Sequence, residues 1–173
     1  MVKDTKRFLL ATVAAIVAVC IGAVPAQAAS TRADYVAQAD PICAASAPAI
    51  GQAYGTYSRN FKHWVHQASH GTLKAWVKQT RRTGAALGRF TQAEASLTDQ
   101  LAAISPAPGD ESTIGSWMSY RRQSEALGAA AATTLSHLQV SKFFKLAGRS
   151  DKAAVAGVRV AEGVGFQVCD QVY

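Results

Sequence analysis

From Thr31 to Gly165 the chain shows no strict apolar–polar alternation of the kind a half-buried strand needs, and its Gly and Pro residues punctuate long alanine-rich segments. Alanine loses no side-chain entropy in a helix, and apolar residues recurring every three to four positions share one helix face. The punctuation therefore predicts four helices. The first runs from about Thr31 to Ser69, with Ile50, Tyr54, Tyr57, Phe61, Trp64 and Val65 at helical spacing. Pro41 and Pro48 each remove a backbone donor, so a kink or a broken start is expected there. Asp40 ahead of Pro41 offers an alternative helix start.

Gly71 supplies a stop, and Thr72 an N-cap for a second helix from Leu73 to about Ile104. Residues 61–67 and 73–79 share the pattern x-Lys-x-Trp-Val-x-Gln, too short to imply a repeat architecture. A hairpin centred near His70 and Gly71 would set Trp64 near Val77 and Trp76 near Val65. Residues 105–109, Ser-Pro-Ala-Pro-Gly, form the clearest connection. Asp110 is then the natural cap of a third helix reaching roughly Leu146, which Gly148 stops. Ser150 and Asp151 open a shorter fourth, weakening at Gly163 and Gly165. Four amphipathic helices with short connections bury their apolar stripes by packing as an antiparallel bundle, and this all-α fold is the expectation.

The first 28 residues read differently. Lys3, Lys6 and Arg7 precede an apolar stretch from Phe8 to Val24, followed by Pro25 and Ala26-Gln27-Ala28. That order is a secretory signal peptide with an Ala-x-Ala cleavage site, leaving a single domain over residues 29–173. A leader retained as a membrane anchor is the competing reading. A lipoprotein signal needs a small residue before Cys20, and Val19 stands there. The leader carries three of the 18 basic and one of the 11 acidic residues, so the expected mature chain keeps 15 and 10, net +5. No second apolar stretch is long enough to cross a membrane.

Cleavage would remove Cys20 and leave Cys43 near the start of the domain and Cys169 near its end. In an exported protein an isolated pair of thiols most often becomes a disulfide, a metal pair or a reactive thiol being the alternatives. No His or Asp neighbours both cysteines at ligand spacing, which favours the disulfide.

Three segments carry a family resemblance: Ala33-Asp-Tyr-Val-Ala-Gln-Ala-Asp-Pro-Ile-Cys43, Pro106-Ala-Pro-Gly-Asp110 and Gly165-Phe-Gln-Val-Cys169. In this order they resemble a group of small exported helical proteins of actinobacteria, some soluble and some lipid-anchored. The resemblance implies a paired Cys43 and Cys169 and says nothing of activity. Pro41 and Pro48 depart from the more continuous first helix of that group.

Charge is unevenly placed. Residues 59–89 hold seven basic side chains and no acid, whereas the rest of the expected mature chain has eight basic and ten acidic residues. On a helical wheel Lys74, Lys78, Arg81, Arg82 and Arg89 fall within about 100° of one another. Leu73, Trp76, Val77, Leu87 and Phe90 lie on the other side. A basic strip facing solvent, with its apolar stripe toward the bundle, is the expectation. Such a strip attracts anionic surfaces over about one Debye length, ~8 Å at physiological salt. An ordinary solvated face is the commoner meaning of such a strip.

His63, His66 and His70 lie within about 60° on the first helix, a spacing able to bind Zn²⁺, Cu²⁺ or Ni²⁺. No carboxylate in the segment is placed to orient them, and plain surface histidines are the competing reading. Mild acidification would add charge to an already basic segment. Signatures of hydrolases, zinc proteases, phosphate loops and dinucleotide folds are missing from the sequence, and Glu125 with Arg121 or Arg122 reads as surface pairing one turn apart. The expectation is a non-catalytic exported protein, without a cofactor, that associates with anionic cell wall or lipid headgroups. A metal- or small-ligand-binding carrier and a structural partner of another exported protein are the alternatives. The export signal and the lack of a recognisable module argue against nucleic acid.

Overall fold

The computed structural model describes residues 28–171. The expected leader lies outside them except for Ala28. Four helices follow in order: α1 Arg32–His70, α2 Leu73–Leu101, α3 Glu111–Ser136 and α4 Val140–Val164. There is no strand among the described residues. Close backbone packing joins α1 to α2, α2 to α3 and α3 to α4, the up-and-down order that short connections impose.

α1 begins as its sequence predicts. Thr31 accepts from the Asp34 N–H at 3.2 Å while Asp34 accepts from the Thr31 N–H at 2.9 Å, a reciprocal capping box. The helix then runs unbroken through Pro41 and Pro48 for 39 residues, about 58 Å at 1.5 Å per residue. Both prolines are exposed, as are Ala37 and Ala44, whose carbonyls lose their helical partners. Carbonyls on the solvent side of a helix are open to water, which is why prolines at these positions do not end it. No new helix starts at Asp40. Its carboxylate instead accepts from the backbone N–H groups of Gln167 (2.9 Å), Val168 (3.1 Å) and Cys169 (3.0 Å). One turn further on, Cys43 is bonded to Cys169, with Cα atoms 5.2 Å apart. The expected disulfide is present, and Asp40 positions the tail that carries it.

The α1–α2 hairpin turns where the sequence predicts, and its register sets Asn60 against Gln79 and Thr83. Gly71 caps α1, the Thr72 hydroxyl caps α2, and Gln79 and Thr83 both donate to the Asn60 carbonyl. Two apolar clusters lie along the bundle. Near the disulfide, Tyr35, Cys43, Leu97, Leu101, Trp117 and Phe166 are buried together. Toward the hairpin tips, Trp64, Leu87, Leu135 and Phe143 form the second, with Phe143 meeting Trp64 edge-on at 5.9 Å. The α2–α3 seam is tight. A Cβ on Gly84 would meet the Ala132 carbonyl at 2.8 Å, and one on Gly128 would meet the Thr91 methyl at 2.6 Å. Glycine at these two places sets the spacing of the helices.

Three boundary expectations are corrected. α3 ends at Ser136 rather than near Leu146, and α4 starts at Val140 rather than at Ser150. Leu138 takes a left-handed φ of 63°; its N–H donates to the Leu135 carbonyl and the Gln139 N–H to that of Thr134. This is a Schellman stop with leucine where glycine is usual, so no sequence signal marks it. Gly148 and Ser150 lie inside α4, where the Ser150 hydroxyl donates to the Ser124 carbonyl at 2.8 Å. α2 stops at Leu101 instead of Ile104, within the fraying of a helix end. Asp110 stands at the α3 N-cap without capping it; its carboxylate pairs with Arg32 of α1. That guanidinium holds Asp110 below the usual carboxylate range, chiefly by hydrogen bonding.

The disulfide spans 126 residues, a loop whose closure is worth roughly 4–5 kcal/mol in the chain-entropy model. Replacing Cys43 and Cys169 together by Ser should lower urea-unfolding stability by several kcal/mol, and a loss under ~1 kcal/mol would contradict a closing role. Asp40→Ala should cost about 1–3 kcal/mol with the disulfide intact, because three tail N–H groups lose a charged acceptor. Equilibrium unfolding under oxidising conditions reads this second effect.

Candidate functional site

The basic strip is where α2 puts it. Lys74, Lys78, Arg81, Arg82 and Arg89 are all exposed, and among the described residues neither ion pair includes any of them. The opposite face of α2 turns inward, but not with the residues its apolar stripe suggests. Leu87 is buried and Trp76, Val77 and Phe90 are half-buried, while Leu73 is 76% exposed at the hairpin tip. The buried positions include Thr80, Thr83, Thr91 and Thr98. The first three donate their hydroxyls to carbonyls of the preceding turn, which lets a polar residue line a helix seam. Apolar counting passes over such residues.

The three histidines share an exposed face of α1. His66 and His70 stack, ring centroids 4.8 Å apart and planes 20° from parallel. A metal lies in the plane of each imidazole it binds, so face-to-face rings do not aim their lone pairs at one ion. His63 and His66 line a shallow open cleft of about 400 Å³ with Lys62, whose ammonium opposes a cation. Among the described residues no three His, Cys, Asp or Glu side chains are gathered as a metal would need.

A cluster that the sequence reading placed on the surface lies inside. Arg121 is 2% exposed, not a surface partner of Glu125, and its Nε donates to Thr98 Oγ1 at 2.8 Å. Thr98 in turn donates to Glu125, whose carboxylate stands 3.9 Å from the Arg121 Nε. Glu94 of α2 faces the same group across the seam. One guanidinium thus serves two carboxylates in a poorly solvated place. Burial drives the Glu94 carboxyl up to about 7, Arg121 opposes the shift and the neighbouring Glu125 adds to it. Glu125 is also raised, first by burial, while its bond from Thr98 and the charge of Arg121 hold it back. With one guanidinium beside two carboxylates, burial favours a proton on one of the pair. Glu125 also lines an open groove of about 700 Å³ between α2 and α3, with Asp99, Arg122 and the small residues Gly84, Gly88, Ala126 and Ala129. The i, i+4 spacing of Arg121 and Glu125 was visible in the sequence; that α2 covers it was not.

No protein-family model, curated protein sequence or solved structure matches this chain.

The raised Glu94 pKa has a definite sign. Between the ordinary 4.5 and about 7 the folded protein holds a proton that the unfolded chain has released. Stability from this group is complete below pH 4.5 and is lost as pH rises through about 7. The loss is at most on the order of 3–4 kcal/mol, one pKa unit being worth about 1.4 kcal/mol. Urea unfolding at pH 5 and pH 8 should show this decline in the parent and a much flatter response in Glu94→Gln. An unchanged pH response in the variant would show that Glu94 is not its source.

Proposed function

We propose that this protein is a non-catalytic exported module that associates with anionic components of the cell envelope through the basic face of α2. The observation that carries the reading is the exposure of Lys74, Lys78, Arg81, Arg82 and Arg89 along one helix with no carboxylate paired to them among the described residues. Five unneutralised cations within about three turns of their neighbours sum to a field that a polyanion or an anionic surface feels before contact. The leader pattern of residues 1–28 and the Cys43–Cys169 disulfide support an oxidising, extracytoplasmic location. Among the described residues no helix is long and apolar enough to cross a membrane, so attachment by surface charge fits the described domain.

Retention on isolated anionic cell wall or on anionic vesicles should fall steeply as salt rises from 50 to 500 mM, a range chosen to shorten the Debye length below about 5 Å. Lys78→Glu, Arg81→Glu and Arg82→Glu together should abolish retention. Their side chains are exposed, so the triple variant should keep its unfolding midpoint. Retention equal to the parent's would remove the strip from any binding role.

A further inference from the structure

The tertiary fold adds to this strip a second stretch that the linear sequence keeps far away. Residues 41–93 contain no Asp or Glu, and neither do residues 126–150. The up-and-down topology brings the middles of both stretches together: the α1–α2 turn at 70–72 and the α3–α4 turn at 137–139 lie at the same end of the bundle, over the cluster of Trp64, Leu87, Leu135 and Phe143. To Lys62, Lys74, Lys78, Arg81 and Arg82 this end adds Lys142, Lys145 and Arg149 of α4, all exposed. The acids that come nearest it along α3 and α4, Glu125 and Asp151, each stand eleven residues from the helix end, about 16 Å away at 1.5 Å per residue.

The same end leaves apolar side chains in water. Leu73 is 76% exposed at the tip of the first hairpin, Phe144 54% on the first turns of α4 and Val65 49% near the end of α1. Phe144 packs one side near the buried Trp64 ring, centroids 6.0 Å apart, and leaves the rest of its surface to solvent. All three lie within about 8 Å, along the helix axes, of the turns that close this end. Lys62, Lys74, Lys142 and Lys145 flank them. Long lysine stems lie along an apolar boundary while their ammonium groups reach phosphate. A lipid-free polyanion gives the cations partners but leaves Leu73 and Phe144 in water. A bilayer surface with anionic headgroups takes both.

We infer that this acid-free end is an interfacial docking surface for anionic phospholipid, approached end-on by both hairpin tips. The inference rests on the proposed anion association and names its surface and ligand: Lys142 and Lys145 of α4 share the contact, and Leu73 and Phe144 enter the headgroup layer. Each lysine near an anionic surface and each apolar side chain withdrawn from water contributes enough that a pair of substitutions is readable in affinity.

The test uses purified protein with its N-terminus established by mass spectrometry, so that a retained leader is not what binds. The probes are vesicles of phosphatidylglycerol mixed with phosphatidylcholine, vesicles of phosphatidylcholine alone, and inorganic polyphosphate as an anion without a lipid phase. Binding to the mixed vesicles and not to the neutral ones is expected. Lys142→Glu with Lys145→Glu should weaken vesicle binding roughly tenfold or more although the α2 strip is intact. Leu73→Ser should weaken vesicle binding several-fold and leave polyphosphate binding unchanged, and being so exposed it should not disturb folding. Vesicle binding unaffected by the α4 pair or by Leu73→Ser overturns the end-on docking while leaving anion association in place. Binding to polyphosphate but not to mixed vesicles overturns the lipid ligand alone. Binding to neither probe sinks this inference and the proposed function together.

Discussion

The bond between Cys43 and Cys169 closes a seam that backbone packing leaves weakest. Consecutive helices of the bundle lie against one another, but α1 and α4 meet chiefly through side chains and through the tail after Gly165. The disulfide fixes that tail to α1, and the Asp40 carboxylate orders it by accepting from three successive N–H groups. Around this clasp the apolar floor assembles: Phe166 packs on Trp117 at 4.5 Å and on Tyr35 at 6.2 Å. Arg32 adds a further tie, reaching both Asp110 ahead of α3 and the Gly163 carbonyl at the end of α4. A covalent link with one charged acceptor beside it thus converts three helix pairs in series into a closed bundle.

The middle of the molecule is held on different terms. Small residues at Gly84 and Gly128 let α2 and α3 approach closely, and the threonines that line α2 bond to carbonyls rather than standing unsatisfied. In this narrow seam Arg121 replaces a large apolar side chain, with Trp117 beneath its guanidinium at 5.7 Å. A buried cation is tolerable only with partners, and Glu125 and Thr98 provide them. The second carboxylate, Glu94, is the surplus charge, and burial raises its pKa accordingly.

The molecule is therefore polar in the electrical sense. Its clasped end holds Asp34, Asp40, Asp110, Glu111, Glu162 and Asp170, whereas its hairpin end holds lysines, arginines and histidines. The proposed association with an anionic surface uses that asymmetry. A field of one sign at one end orients the bundle as it approaches, with the disulfide pointing away.

Much of this was legible in the residues. The alanine-rich helical period, the Thr72 and Gly71 signals and the 105–109 connection mark four helices in series, and the two cysteines mark a joined start and end. These are local or compositional properties, which a chain states position by position. The α3–α4 turn was not legible because Leu138 adopts the left-handed conformation that glycine usually signals. The burial of Arg121 and Glu125 was not legible either, since an i, i+4 ion pair looks the same on a surface and inside a seam. The strip on α2 could be drawn on a wheel, but its union with Lys142 and Lys145 required two acid-free stretches, far apart in sequence, to meet at one end. Desolvation and proximity between distant segments depend on how helices pack, and only the tertiary structure decided them.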